Sequence, residues 1–250
     1  MKVMAAVDGS TISPSVLDIA GRIAALLHAD LEAIHVGDGL PATISHLLRD
    51  HRTPLRTADG LAAQELRRAA HEPDIAALVV GARGLPEGRH PAGHVTQELM
   101  TSLERPLVVV PPAGRPSHRM QRILVALDGS AAAAEALRPL MRAAQDAGLT
   151  IVVVHVLDPR TAPPFIDQPH HWCEAYIQEF RARNVVDGDA EIHLRAGDPP
   201  ERLLDAARQL DADIVALAWS QTLAPGRAAV VRNAVADGEL PVVLVPVAAS

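Results

Sequence analysis

The chain repeats itself, and that repeat restricts its fold more than any other feature. Met1-Lys-Val-Met-Ala-Ala-Val-Asp-Gly-Ser10 lies over Gln121-Arg-Ile-Leu-Val-Ala-Leu-Asp-Gly-Ser130, 120 residues later. Ile34-His35-Val36 lies over Val154-His155-Val156 at the same spacing. Asp74-Ile-Ala-Ala-Leu78 recurs 139 residues later as Asp213-Ile-Val-Ala-Leu217. Arg105-Pro-Leu-Val-Val-Val-Pro111 recurs 135 residues later as Leu240-Pro-Val-Val-Leu-Val-Pro246. Two copies of one unit follow, residues 1–112 and 119–250, joined by Pro112-Ala-Gly-Arg-Pro-Ser-His118. The rise in spacing places an insertion near Asp158. The later fall means that the second copy is shorter in a loop that is rich in glycine in the first.

Each copy alternates apolar strand patterns with helical ones. In the first, Lys2–Val7, Leu31–Val36, Pro54–Thr57, Ile75–Val80 and Leu107–Val110 read as strands. Ser13–His28, Leu40–Asp50, Gly60–His71 and Val95–Leu103 read as helices. The second copy predicts strands near Ile123–Leu127, Ile151–Val156, Glu191–Leu194, Ile214–Ala218 and Val242–Val245. Its helices fall near Ala131–Ala147, His170–Asn184, Pro200–Leu210 and Arg227–Ala236. Such alternation predicts a parallel sheet with right-handed crossovers. The composition agrees: 48% of residues are apolar but only 2% aromatic, so the core must be Val, Leu, Ile and Ala. In an open sheet of this kind ligands sit at the carboxyl ends of strands, where the winding reverses. Asp8, Val36 and Gly81 all lie at such ends.

The stretch Gly81-Ala-Arg-Gly-Leu-Pro-Glu-Gly-Arg-His-Pro-Ala-Gly-His-Val-Thr96 joins a predicted strand to a predicted helix. Glycines let a backbone approach an anion, and the first N–H groups of the helix face it. Together with Val7-Asp8-Gly9-Ser10, Ile34-His35-Val36 and the closing Pro-Leu-Val-Val-Val-Pro, this loop resembles a universal stress protein domain. The second copy resembles another, so the likeness spans nearly the whole chain. It implies two Rossmann-like α/β/α three-layer domains of the adenine nucleotide alpha hydrolase type, each with a five-stranded parallel sheet. It also implies intramolecular pairing of the two domains through their last strands, with room for a further homodimer.

ATP-binding members of the family hold the phosphates in a G-x-x-G-x9-G-[S/T] loop. Here Gly81 and Gly84 match, eight residues separate Gly84 from Gly93, and His94 stands at the hydroxyl position. The resemblance implies ATP, with or without Mg²⁺, bound in the first copy by Ala6, Asp8, Val36, Gly81, Arg83, Gly84, Gly93, His94, Val95 and Thr96. Arg83 and Arg89 can offer charge, and His94 a ring N–H, to phosphate oxygens. Asp8 would contact the adenosine part and Val36 the adenine. Each has a plainer alternative: Asp8 bonding the backbone of its own turn, Val36 as a strand-end core residue, His94 as the first residue of a helix, and the arginines in solvent. In the second copy Ser220-Gln221-Thr222-Leu223 replaces Gly81-Ala-Arg-Gly84, and Ala228-Ala229-Val230 replaces Gly93-His94-Val95. Side chains there block close backbone approach. Asp128 then reads as structural and the second copy as having lost phosphate binding.

Other functions find little support. A net charge of −7 gives no basic footprint for nucleic acid. The single cysteine, Cys173, excludes an intramolecular disulfide. Asp8 interrupts any apolar leader, and no apolar run spans a membrane, so the expected setting is the cytoplasm. His170-His171-Trp-Cys173 invites a metal, but adjacent helical histidines point apart and lack partners, so no metal site is expected. His35 and His155 read as satisfied interior histidines. Gly-x-Ser-x-Gly, a Walker loop and a Ser-His-Asp set are all missing, so the chain is not read as an enzyme. The expectation is a regulatory ATP-binding stress-response protein with an unknown protein partner. The alternative is a nucleotide-free scaffold acting through protein–protein contacts.

Overall fold

The structure, a computed structural model, describes residues 1–83, 92–112, 120–158, 169–184, 190–223, 228–236 and 238–247, without the side chains of 50 and 169–173. The first half runs β1 (Lys2–Ala6), α1 (Ser13–Leu26), β2 (Asp30–Val36), α2 (Ala42–His51), β3 (Leu55–Ala58), α3 (Ala62–Ala70), β4 (Ile75–Gly81), α4 (His94–Ser102) and β5 (Leu107–Val110). The second runs β6 (Arg122–Ala126), α5 (Ala131–Asp146), β7 (Thr150–Leu157), α6 (Pro169–Asn184), β8 (Glu191–Ala196), α7 (Pro199–Gln209), β9 (Ile214–Trp219), α8 (Ala229–Ala236) and β10 (Val242–Pro246).

All ten strands form one sheet in the order β3-β2-β1-β4-β5-β10-β9-β6-β7-β8. Within each half every pairing is parallel, as helical crossovers require. The halves meet where β5 and β10 pair antiparallel, Val242 opposite Val109, Val243 opposite Val108 and Leu244 opposite Leu107. Strand alternation sends Val3 and Ala5 to one face and Met4 to the other. On the first face lie α1, α2, α5 and α6, with Leu17, Ile44, Leu137 and Phe180 buried. On the second lie α3, α4, α7 and α8, with Leu66, Leu99, Leu203 and Val231 buried. Each of these two cores runs through both halves.

At the amino ends of the strands Lys2 pairs with Glu32 and Asp74, each at 3.2 Å, and Arg56 pairs with Glu32 at 3.3 Å and Glu72 at 2.5 Å. Lys2 as hydrogen-bond donor holds the Asp74 carboxyl below its ordinary pKa, and Arg56 does the same for Glu72. Among the described residues no helix is long and apolar enough to cross a membrane.

Candidate functional site

In the first half β1 lies between β2 and β4, and the direction of winding reverses between β1 and β4. A cleft of ≈ 570 Å³ opens at that point, at the carboxyl ends of the strands. Ala6, Asp8, Val36, Gly81, Arg83, Gly93, His94, Val95 and Thr96 all line it. Gly84 and Arg89 lie outside the described residues. The fold thus gathers residues spread over ninety positions at one place, through the ends of β1, β2 and β4 and the start of α4.

Each side chain has a particular local reason for its position. Gly9 takes φ +80°, which turns the chain sharply after β1. Across that turn Asp8 Oδ1 accepts from Ser10 N at 3.0 Å, Ser10 Oγ at 2.5 Å and Ser13 Oγ at 3.2 Å. Asp8 therefore holds the entry to α1. Thr96 Oγ1 donates to the Gly81 carbonyl at 2.8 Å, and Gly93 N donates to Ala82 O at 2.7 Å. These two bonds fix the first turn of α4 against the end of β4. Among the described residues no side chain caps that helix, whose N-cap is Gly93. Its leading N–H groups and the positive end of its dipole are left to the cleft. Nearby, Arg83 Nε is buried and has no hydrogen-bond partner among the described residues. A buried guanidinium N–H calls for an acceptor. His94, in contrast, is 92% exposed at its side chain and lies 3.9 Å from Glu98. Its imidazole belongs to the rim.

Gly81 has a packing reason of its own. A Cβ at this position would stand 2.7 Å from Ile12 Cγ2 and 3.2 Å from Arg83 O. Sequence reasoning missed Ile12, and also Ile34, Ala62 and Leu66, which complete the apolar wall. The signal was available for the last two: they are four apart at the start of α3, on one helical face.

The second half keeps the frame and changes the contents. A cleft of ≈ 650 Å³ opens at the equivalent place, lined in part by Asp128, Ser130, Leu203, Trp219, Ser220 and Val231. Gly129 repeats the positive φ at +86°, and Asp128 Oδ1 accepts from Ser130 N at 2.8 Å. Ser130 Oγ caps α5 by accepting from Ala133 N. The segment that replaces the glycine loop reaches across to the first half. Trp219 Nε1 donates to Met100 O at 2.5 Å, and Gln221 Nε2 donates to Leu103 O at 2.6 Å. Both acceptors are at the carboxyl end of α4, where helix carbonyls lack internal partners. The second half thus caps the helix whose other end faces the first cleft.

The paired histidines are interior and bonded. His35 Nδ1 faces Val7 O at 2.8 Å and Nε2 faces Gly39 O at 3.1 Å. His155 Nδ1 faces Leu127 O at 2.7 Å, which makes that nitrogen the donor, so Tyr176 OH donates to Nε2 at 3.0 Å. Burial raises the Tyr176 pKa above the ordinary value, keeping the hydroxyl protonated. Among the described residues no three His, Cys, Asp or Glu side chains converge as a metal site. The side chains of His170, His171 and Cys173 lie outside the described part of the structure.

These features define a tandem, doubly wound α/β protein with a cleft at each switch point. The profile of the Universal stress protein family matches residues 120–246, just over half of the chain. The chain belongs to that family. It is similar across its length to a universal stress protein from Archaeoglobus fulgidus DSM 4304, with 14% identity, 98% of both chains covered and a TM-score of 0.70. It is also similar to a functionally unknown protein from Pseudomonas aeruginosa PAO1, with 14% identity, 98% of this chain and 92% of the other covered and a TM-score of 0.68. These two share its fold over both halves. A universal stress protein from Archaeoglobus fulgidus in complex with dAMP aligns with 50% of this chain and 97% of its own, at 21% identity and a TM-score of 0.36. Comparison with curated protein sequences gives no match.

Proposed function

We propose that this chain binds ATP in the first-half cleft and acts as a regulatory stress-response protein in the cytoplasm, not as an enzyme. The observation that carries the reading is the buried Nε of Arg83, without a hydrogen-bond partner among the described residues, beside a start of α4 that no described side chain caps. Together they supply a positive charge and free N–H groups to a phosphate chain. Val36, Ile34 and Leu66 give the apolar slot a base needs, and Asp8 lies at the same cleft. Bound ATP would bring a polyanion that chelates Mg²⁺ through its own phosphate oxygens. In this reading α4 carries the signal. Its amino end meets the phosphates, and its carboxyl end is held by Trp219 and Gln221 of the second half. Nucleotide occupancy would alter the surface presented to a protein partner.

A second reading, a nucleotide-free scaffold, has its own support. Asp8 is engaged by its turn, Gly81 is accounted for by Ile12, and the His94 ring is in solvent. Titration calorimetry with ATP and Mg²⁺ separates the two. The expected result is one site per chain, weakened about tenfold or more by Arg83→Met, the loss of a charged hydrogen bond. No heat at millimolar ATP would leave the scaffold. Phosphate release at a steady rate would refute the non-enzymatic reading.

A further inference from the structure

We infer that the cleft of the second half is a separate binding site for a flat aromatic cation, a ligand without phosphate. Losing the glycine loop did not close this cleft. At ≈ 650 Å³ it is as roomy as its counterpart, although Trp219 stands where the first half has Val80. Here Ala132, Ala133 and Ala218 keep the walls back.

The chemistry of the walls has also been inverted. The counterparts of Arg83, His94 and Thr96 are Thr222, Ala229 and Val231, so the two basic side chains of the first cleft have no basic counterpart here. Among the described residues no Lys, Arg or His lines this cleft. Arg232, on α8, is bound to the Leu223 carbonyl and does not line the cleft. Among the described lining residues the one charged group is the Asp128 carboxylate, which is exposed. Among the described residues its hydrogen bond is to Ser130 N through Oδ1, so a carboxylate with capacity for several donors accepts one here. Trp219 is buried, and its one polar atom is committed to Met100 O, so it offers the cleft aromatic carbon. Val154, Val156, Leu203 and Leu217 supply the rest of an apolar slot. Among the described residues the slot is apolar and aromatic, with one carboxylate and no basic side chain, which disfavours phosphate and suits a flat cation whose N–H groups reach Asp128.

Trp219 is also the reporter. With Trp172→Phe it is the remaining tryptophan of two. Proflavine, a planar tricyclic cation with two amines, is titrated into that full-length variant at about 0.15 M salt, where weak surface attraction is screened. The expected result is saturable quenching of Trp219 at one dye per chain, unchanged by excess ATP. Asp128→Asn and Ser220→Arg alter two exposed residues at the cleft, and circular dichroism checks that each still folds. Either should weaken the dye about tenfold, the first by removing the carboxylate and the second by opposing it. Non-saturating quenching, displacement by ATP, or an affinity within about twofold of the parent in both variants would overturn the inference.

Discussion

Ile12 and Gly81 show what a single residue can conceal. The glycine reads from the sequence as a place where backbone approaches phosphate, yet its missing Cβ also makes room for Ile12. The second half solves the same contact in reverse: Ala132 stands for Ile12 and Ser220 for Gly81, and both line one cleft. Gly81→Ser should therefore cost about 1–3 kcal/mol of stability, the usual cost of overpacking. In an Ile12→Ala background the same change should cost far less. Urea midpoints for the four members of this cycle measure the coupling, and additive costs would refute it. The candidate site was legible as a place, because Asp8, Val36 and Gly81 each end a strand pattern. Its chemistry was less so. Which way the Asp8 carboxylate turns, that His94 faces solvent, and that Arg83 Nε is buried without a partner among the described residues all depend on packing between distant segments, which local pattern does not encode.

At the scale of elements, strand and helix order was legible throughout, and observed ends differ from expected ones by a few residues at most. The continuous apolar run of β1, buried on both faces, and the helical spacing of Val16, Leu17, Ala20 and Ile23 in α1 are physical demands of burial, so they survive as sequence signals. The cap on α4 left no such signal. Met100 and Leu103 lie nearly 120 residues from Trp219 and Gln221, and only the sheet brings them together. Gln221→Ala should cost about 1 kcal/mol, the net worth of one hydrogen bond, and hydrogen exchange should quicken at the carboxyl end of α4. Unchanged exchange there would show that the cap holds nothing. The starts of β1 and β3 make a pH-dependent statement. Asp74 and Glu72 are held below their ordinary pKa values by Lys2 and Arg56. Depressed carboxylates contribute stability that is present above their unfolded pKa values and lost as pH falls through the folded ones. Arg56→Met and Lys2→Met should each flatten the acid side of a plot of urea midpoint against pH. The effect should shrink in high salt, because both carboxylates face water.

For the molecule as a whole, the seam between β5 and β10 decides most. Each strand would be a bare edge in an isolated half, with a row of unpaired N–H and C=O groups. Residues 1–112 expressed alone should therefore associate through β5, giving a dimer by light scattering. A stable monomer would show that the edge needs no cover. Sequence periodicity foretold two parallel units, while pairing through their last strands was implied by the family resemblance alone, since β5 and β10 are apolar on both faces and give no hint of which edge meets which. The family profile matches the half that lacks the glycine loop. Kinship is therefore carried by the frame and not by the phosphate contacts. Because the seam pairs antiparallel, strands in the two halves run in opposite directions, and the two clefts open at opposite ends of the sheet. The covalent link across this seam also changes what mutation can do. In a symmetric pair encoded once, any change in the loop appears twice, and losing phosphate contacts in one subunit means losing them in both. A fused pair inherits its two members separately. One copy can keep its glycines while the other gives them up, and every molecule made still carries one of each.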